Sequence, residues 1–77
     1  MDTKDRITCD PTIMEGQPCI RGLRIPVAMI FDSLADGMTE EEIRRELPVL
    51  EPDDFRAAYA FASARAREEI LPLAPAP

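Results

Sequence analysis

The chain has 77 residues, 45% apolar and 31% charged, with 15 acidic against 9 basic side chains and a net charge of −6. At this length folding removes roughly two-thirds or less of the unfolded surface from water, so a single small domain is expected, self-associated as a dimer or held by a partner. No apolar run approaches the roughly 20 residues of a membrane span and no secretory signal opens the chain, which points to a cytoplasmic protein without a membrane partner.

Met1–Asp5 is polar and reads as a flexible start. Arg6-Ile7-Thr8-Cys9 is a short β-branched run closed by the Asp10-Pro11 turn signal, and predicts a strand. Thr12–Gln17 follows as a loop with a bend at Gly16. The run Gly16-Gln17-Pro18-Cys19-Ile20-Arg21-Gly22-Leu23-Arg24-Ile25-Pro26-Val27 then predicts two short extended segments, Cys19-Ile20 and Leu23–Ile25, joined by a tight turn. Gly22 supplies the positive φ that such a turn needs. Pro26 ends the extension and presets φ for a helix start.

From Val27 the apolar period lengthens. Val27, Ile30, Phe31, Leu34 and Ala35 share one helical face, and Gly37 is placed to stop that helix as its left-handed C′ residue. Thr39-Glu40-Glu41-Glu42 predicts a capping box, with Thr39 as N-cap and Glu42 at N3. Met38 and Ile43 stand at the hydrophobic-staple positions. Pro48 ends this short helix. A third begins at Pro52, with Asp53 and Asp54 in its positive first turn and Leu50 stapled onto Phe55. Phe55, Ala58, Tyr59, Ala62, Ala66 and Ile70 predict its buried stripe, and Ala57, Ala60 and Ala64 leave another face small-sided. Pro72 breaks it.

The expected organisation is therefore a flexible N-terminus over 1–5 and one domain over 6–71, followed by a flexible Pro/Ala tail over 72–77. Within the domain, 6–26 is a β-strand arm and 27–71 a three-helix core. The helix order is that of a homeodomain-like helix-turn-helix unit in a mostly α protein.

Little in the chain suggests catalysis. There is no histidine, and no Cys–base or Ser–base arrangement stands on a recognisable turn, so neither an enzyme nor a cofactor is expected. Cys9 and Cys19 read as packing thiols rather than a disulfide or metal pair. The carboxylates Glu40, Glu41, Glu42 and Glu46, with Asp32 and Asp36, read as a solvated face rather than a Mg²⁺ site, since a dry cavity is more than so short a chain can readily build.

Charge is unevenly spread. Residues 1–26 are neutral, while 27–54 hold two arginines against nine acids, a net −7. Such a face suits a basic protein partner better than a phosphate backbone. Arg21 and Arg24 flank the predicted turn and invite two readings: contact with phosphate or a partner carboxylate, or internal satisfaction of carbonyls and acids such as Asp10. On the third helix Asp53, Asp54, Arg56, Ala57, Ala60 and Ser63 are expected to lead the exposed face. Arg56 there is a further cation for DNA or a partner, but the leading carboxylates oppose direct reading of a groove.

The motifs Ile7-Thr8-x-Asp10-Pro11 and Gly16-x-Pro18-Cys19-Ile20-Arg21-Gly22-x-Arg24-Ile25-Pro26-Val27 resemble the signature of the family known as domain of unknown function 433. The likeness continues through Leu34-Ala35-x-Gly37-Met38 and Glu41-Glu42-Ile43, and covers about residues 6–64. It makes Gly16, Pro18, Gly22, Pro26, Gly37 and Thr39 the structural signature. The resemblance implies a hairpin arm on a homeodomain-like core, and the antitoxin of a type II pair that inhibits a PIN-like ribonuclease toxin. On that reading Glu40, Glu41, Glu42 and Glu46 and the Ala-rich side of the third helix face the toxin, and the pair also binds operator DNA. The alternatives are a dimeric helix-turn-helix DNA regulator and a purely structural oligomerisation domain. Where the family usually has Thr before the proline of the third helix, this chain has Glu51.

Overall fold

Strand β1 (Ile7–Thr8) and strand β2 (Cys19–Ile20) pair antiparallel, with Ile7 opposite Ile20 and Thr8 opposite Cys19. The computed structural model describes residues 3–68; the expectations placed on Ile70, on the breaking proline Pro72 and on the tail lie outside the described residues. Ahead of β1 the backbone of Thr3–Arg6 forms a 3₁₀ turn that packs against the third helix, so the arm begins earlier than its polar composition suggests. After β2 the chain reverses sharply: the Leu23 N–H donates to the Ile20 carbonyl at 2.7 Å, and the Ile20 N–H to the Ile25 carbonyl at 3.0 Å.

Both central residues of this reversal have positive φ, 46° at Arg21 and 71° at Gly22. That is the pattern of a type I′ turn, whose twist matches that of the flanking strands. Gly22 behaves as expected; the left-handed Arg21 was not foreseen. The predicted second extended segment shrinks to one isolated bridge, Cys19 to Pro26, because the turn's Leu23 N–H occupies the Ile20 carbonyl on one side and Pro18 has no N–H to extend the ladder on the other.

Helix α1 (Val27–Ala35) follows directly. Its end is a Schellman motif: the Gly37 N–H donates to Leu34 and the Met38 N–H to Ser33, with Gly37 at φ 97°. Helix α2 (Glu40–Glu46) opens on the predicted capping box, with both reciprocal bonds formed between Thr39 and Glu42 at 3.0 and 3.1 Å. Helix α3 (Pro52–Glu68) is the longest. The core joins all parts: Ile20 and Ile25 from the arm, Val27 and Ile30 from α1, Ile43 from α2, and Leu50, Phe55 and Ala58 around the start of α3.

The buried stripe of α3 differs from the expected one. Asp54, Phe55, Ala57 and Ala58 are buried, whereas Tyr59 and Ala66 are exposed. At 1.5 Å per residue α3 is about 25 Å long, while α1 and α2 reach only about 13 and 10 Å. The arm and the two short helices therefore cover the first turns of α3, and residues 63–68 run past them into solvent. Tyr59 lies at the edge of the covered zone, its ring centroid 6.5 Å from that of Phe31.

Candidate functional site: the arm junction and the acidic helices

Asp54 occupies N3 of α3, and this position determines its role. Its carboxylate Oδ2 accepts the Glu51 N–H at 2.8 Å, satisfying one of the donors that a helix start leaves open. The chain thus caps α3 from N3 rather than from the side chain of its N-cap residue, Glu51. The Glu51 side chain turns away and accepts from Arg6 Nη1 at 2.7 Å.

Two arginines from the arm converge on the same carboxylate. Arg21 donates through Nε to Oδ1 and through Nη2 to Oδ2, each at 3.1 Å, and Nη2 also donates to the Val49 carbonyl at 2.8 Å. Arg6 Nη1 donates to Oδ1 at 2.9 Å. Asp54 is 0% exposed. Burial pushes its carboxyl pKa up, but hydrogen bonds from Arg21, the Glu51 N–H and Arg6 outweigh it and hold the group below the usual carboxylate range. The same bonds raise both guanidinium pKa values, with Glu51 contributing most at Arg6 and Asp54 at Arg21. Neither Asp54 nor Arg21 is therefore a free surface charge. Asp54 and Ala57, expected at the exposed front of the helix, are instead buried. Of the two readings of Arg21, its geometry is that of the internal one, with Asp54 as partner in place of Asp10. Asp10 instead accepts both the N–H and the hydroxyl of Thr12.

Arg24 and Arg56 are exposed and make no ion pair among the described residues. The four glutamates of the predicted acidic face are exposed as well, but differ in what they do. Glu40 accepts the Tyr59 hydroxyl; burial and this carboxylate push the phenol pKa up to about 12. Glu41 pairs with Arg45 at 3.1 Å one helical turn away. Glu42 completes the capping box, and the Thr39 N–H and hydroxyl hold its pKa below the usual range. Glu46 makes no ion pair among the described residues, and neither do Asp32 on α1 and Asp36 just after it.

Sequence reasoning missed Arg6 and the true role of Asp54. The signal available was positional: a carboxylate three residues after an N-cap that cannot cap for itself. Cys9 is exposed and Cys19 buried, and both are free thiols. No helix of the described residues is long and apolar enough to cross a membrane.

The fold and junction define a small hairpin-armed three-helix domain whose arm is clamped to its last helix. The family model described as a protein of unknown function, DUF433, matches residues 7–62, and the chain belongs to that family. A crystal structure of a DUF433 member protein from Anabaena variabilis superposes with a TM-score of 0.77 at 26% identity, over 84% of this chain and 64% of that one. An uncharacterized protein of Sinorhizobium fredii is 33% identical over 61 residues, 79% of this chain and 28% of its own length. This chain therefore spans just over a quarter of that relative.

Proposed function

We propose that this protein acts by binding rather than by catalysis, as the antitoxin of a type II pair that holds a PIN-like ribonuclease inactive. The observation that carries the reading is the state of the acidic helices. With Glu51, Asp53 and Asp54 paired to the arm, residues 27–47 still hold six acids against two arginines, a net −4, and Asp32, Asp36 and Glu46 stand without a counter-ion among the described residues. Such a surface attracts a basic groove and speeds encounter with it. The partner class comes from the signature motifs of the arm, which this chain carries in full.

The test is co-expression with the adjacent reading frame and recovery through a tag on this protein. A stoichiometric complex and rescued growth are expected. A clean self-associated protein with no neighbour bound rejects the reading.

A second reading, a dimeric helix-turn-helix regulator of DNA, has Arg24 and Arg56 in its favour, both exposed and without an internal ion pair among the described residues. Binding of upstream DNA that weakens steeply with salt and is lost on Arg24→Ala supports it; no shift at low salt removes it.

A further inference from the structure

We infer that the groove between α1 and α2 is a docking slot for a basic amphipathic helix of a protein partner. The inference rests on the binding reading above and names the surface used. Met29, Ile30 and Ser33 of α1 face Ile43, Glu46 and Leu47, from α2 and the residue after it, across an open depression of about 310 Å³. That is near the lower end of the ~300–1,000 Å³ range of ligand clefts. Its floor is fixed, because Ile30 and Ile43 belong to the core and are 1% and 2% exposed. Its lip is Met29, 39% exposed. A lone exposed apolar side chain needs no explanation. Met29 is different because it continues into a core-lined groove with the half-buried Leu47 beyond it. An unbranched thioether at such a lip adapts readily to an incoming side chain.

Charge selects the occupant. Asp32 of α1 and Asp36, its C-cap, follow Met29 and Ser33 by three residues each, and Glu46 lies in the groove wall itself. None of the three makes an ion pair among the described residues. Neither cation of α2 pairs with them: Arg45 is taken by Glu41, and Arg44, which keeps its charge, points its Nε at the Leu50 carbonyl. An apolar floor between unneutralised carboxylates fits a helix with apolar anchors at i, i+3, i+4 and i+7 and Lys or Arg beside them. Walls of two helical turns match an anchor run of that length. A second copy of this chain is disfavoured, because it brings a second acidic α1–α2 surface, six carboxylates against two arginines over residues 27–47, to the contact.

The test uses the full chain, isotope-labelled, and three synthetic peptides. One carries Leu at i, i+3, i+4 and i+7 with Lys and Arg elsewhere; one keeps the stripe with Glu and Gln elsewhere; one scrambles the first. The basic peptide is expected to shift the NMR signals of Met29, Ile30, Ser33, Ile43 and Leu47. The acidic peptide is expected to bind at least ~10-fold more weakly, and Met29→Glu and Glu46→Lys each to weaken the basic peptide by ~10-fold or more. Circular dichroism checks that both variants keep their helix content. Shifts that map elsewhere, equal binding of the acidic or scrambled peptide, or groove signals already broadened by self-association at low concentration overturn the inference. A neighbour complex undiminished by Met29→Glu also overturns it and leaves the antitoxin reading standing. Peptide binding in the groove without any neighbour complex supports it and removes the antitoxin reading.

Discussion

Arg21 meets Asp54 side-on, its Nε and Nη2 each 3.1 Å from one of the two carboxylate oxygens, across 33 residues of sequence. Arg6 closes the other side from 48 residues away. All of these polar groups are satisfied, which is the condition under which a buried charge is tolerable.

Removing the central partner leaves Arg21 with only the Val49 carbonyl and no carboxylate, and Arg6 with only the exposed Glu51 and Asp53. Asp54→Ala is expected to cost about 3–5 kcal/mol in denaturant unfolding. Arg21→Lys, which cannot bond side-on, is expected to cost less but measurably. A loss below about 1 kcal/mol for Asp54→Ala shows that the junction does not hold the arm.

The same pair sets an acid limit. Asp54 has a lower pKa in the folded protein than the ordinary unfolded value of about 3.9, so in that window the unfolded chain binds the proton first. Its stabilisation is present above the unfolded value and is lost as pH falls through the folded one. The stability gap between the native chain and Asp54→Asn is therefore expected to narrow as pH drops below about 4. A gap that stays constant down to acid unfolding rejects this assignment.

Thr39 and Glu42 form a reciprocal cap, so their loss is a loss of helix. Thr39→Ala is expected to cost about 1 kcal/mol. Glu46→Gln, at a residue with no such bond, is expected to be neutral to stability in the same unfolding measurement. This contrast matters for interface mutagenesis, because neutralising Glu42 together with Glu40, Glu41 and Glu46 mixes fold with surface.

Tyr59 is the only tyrosine, which makes its titration easy to isolate by absorbance. It is expected to ionise near 12, and Glu40→Gln is expected to bring it part of the way back toward 10.0. A native midpoint already at 10 shows that the Tyr59–Glu40 bond does not form in solution.

Local chemistry was legible in the sequence wherever the signal lay within a few residues. The Thr39–Glu42 box, the left-handed Gly37 and Gly22, and the Leu50–Phe55 staple all depend on neighbours. What escaped depended on distance. Nothing near Asp54 says that a guanidinium from residue 6 and another from residue 21 will meet it, so the helix-dipole account looked sufficient. The stripe of α3 failed for a related reason: periodicity shows which residues share a face, whereas the short reach of α1 and α2 decides how far along α3 that face is covered. The candidate acidic surface could be read from charge counts, but the groove beside it required the placement of α1 against α2.

The long separations at the junction also bear on the order of events in folding. The caps and helices close over short loops, whereas bringing Arg6 and Arg21 to Asp54 closes loops of 48 and 33 residues and carries the larger entropy cost. Docking of the arm is accordingly expected to come late, after the local helices have formed. Substitutions at Arg6 should then accelerate unfolding while leaving the refolding rate nearly unchanged, giving φ-values near zero in stopped-flow chevrons. Native-state hydrogen exchange should find the arm opening before α1 or α3 does, so the clamp acts as a latch with its own lifetime.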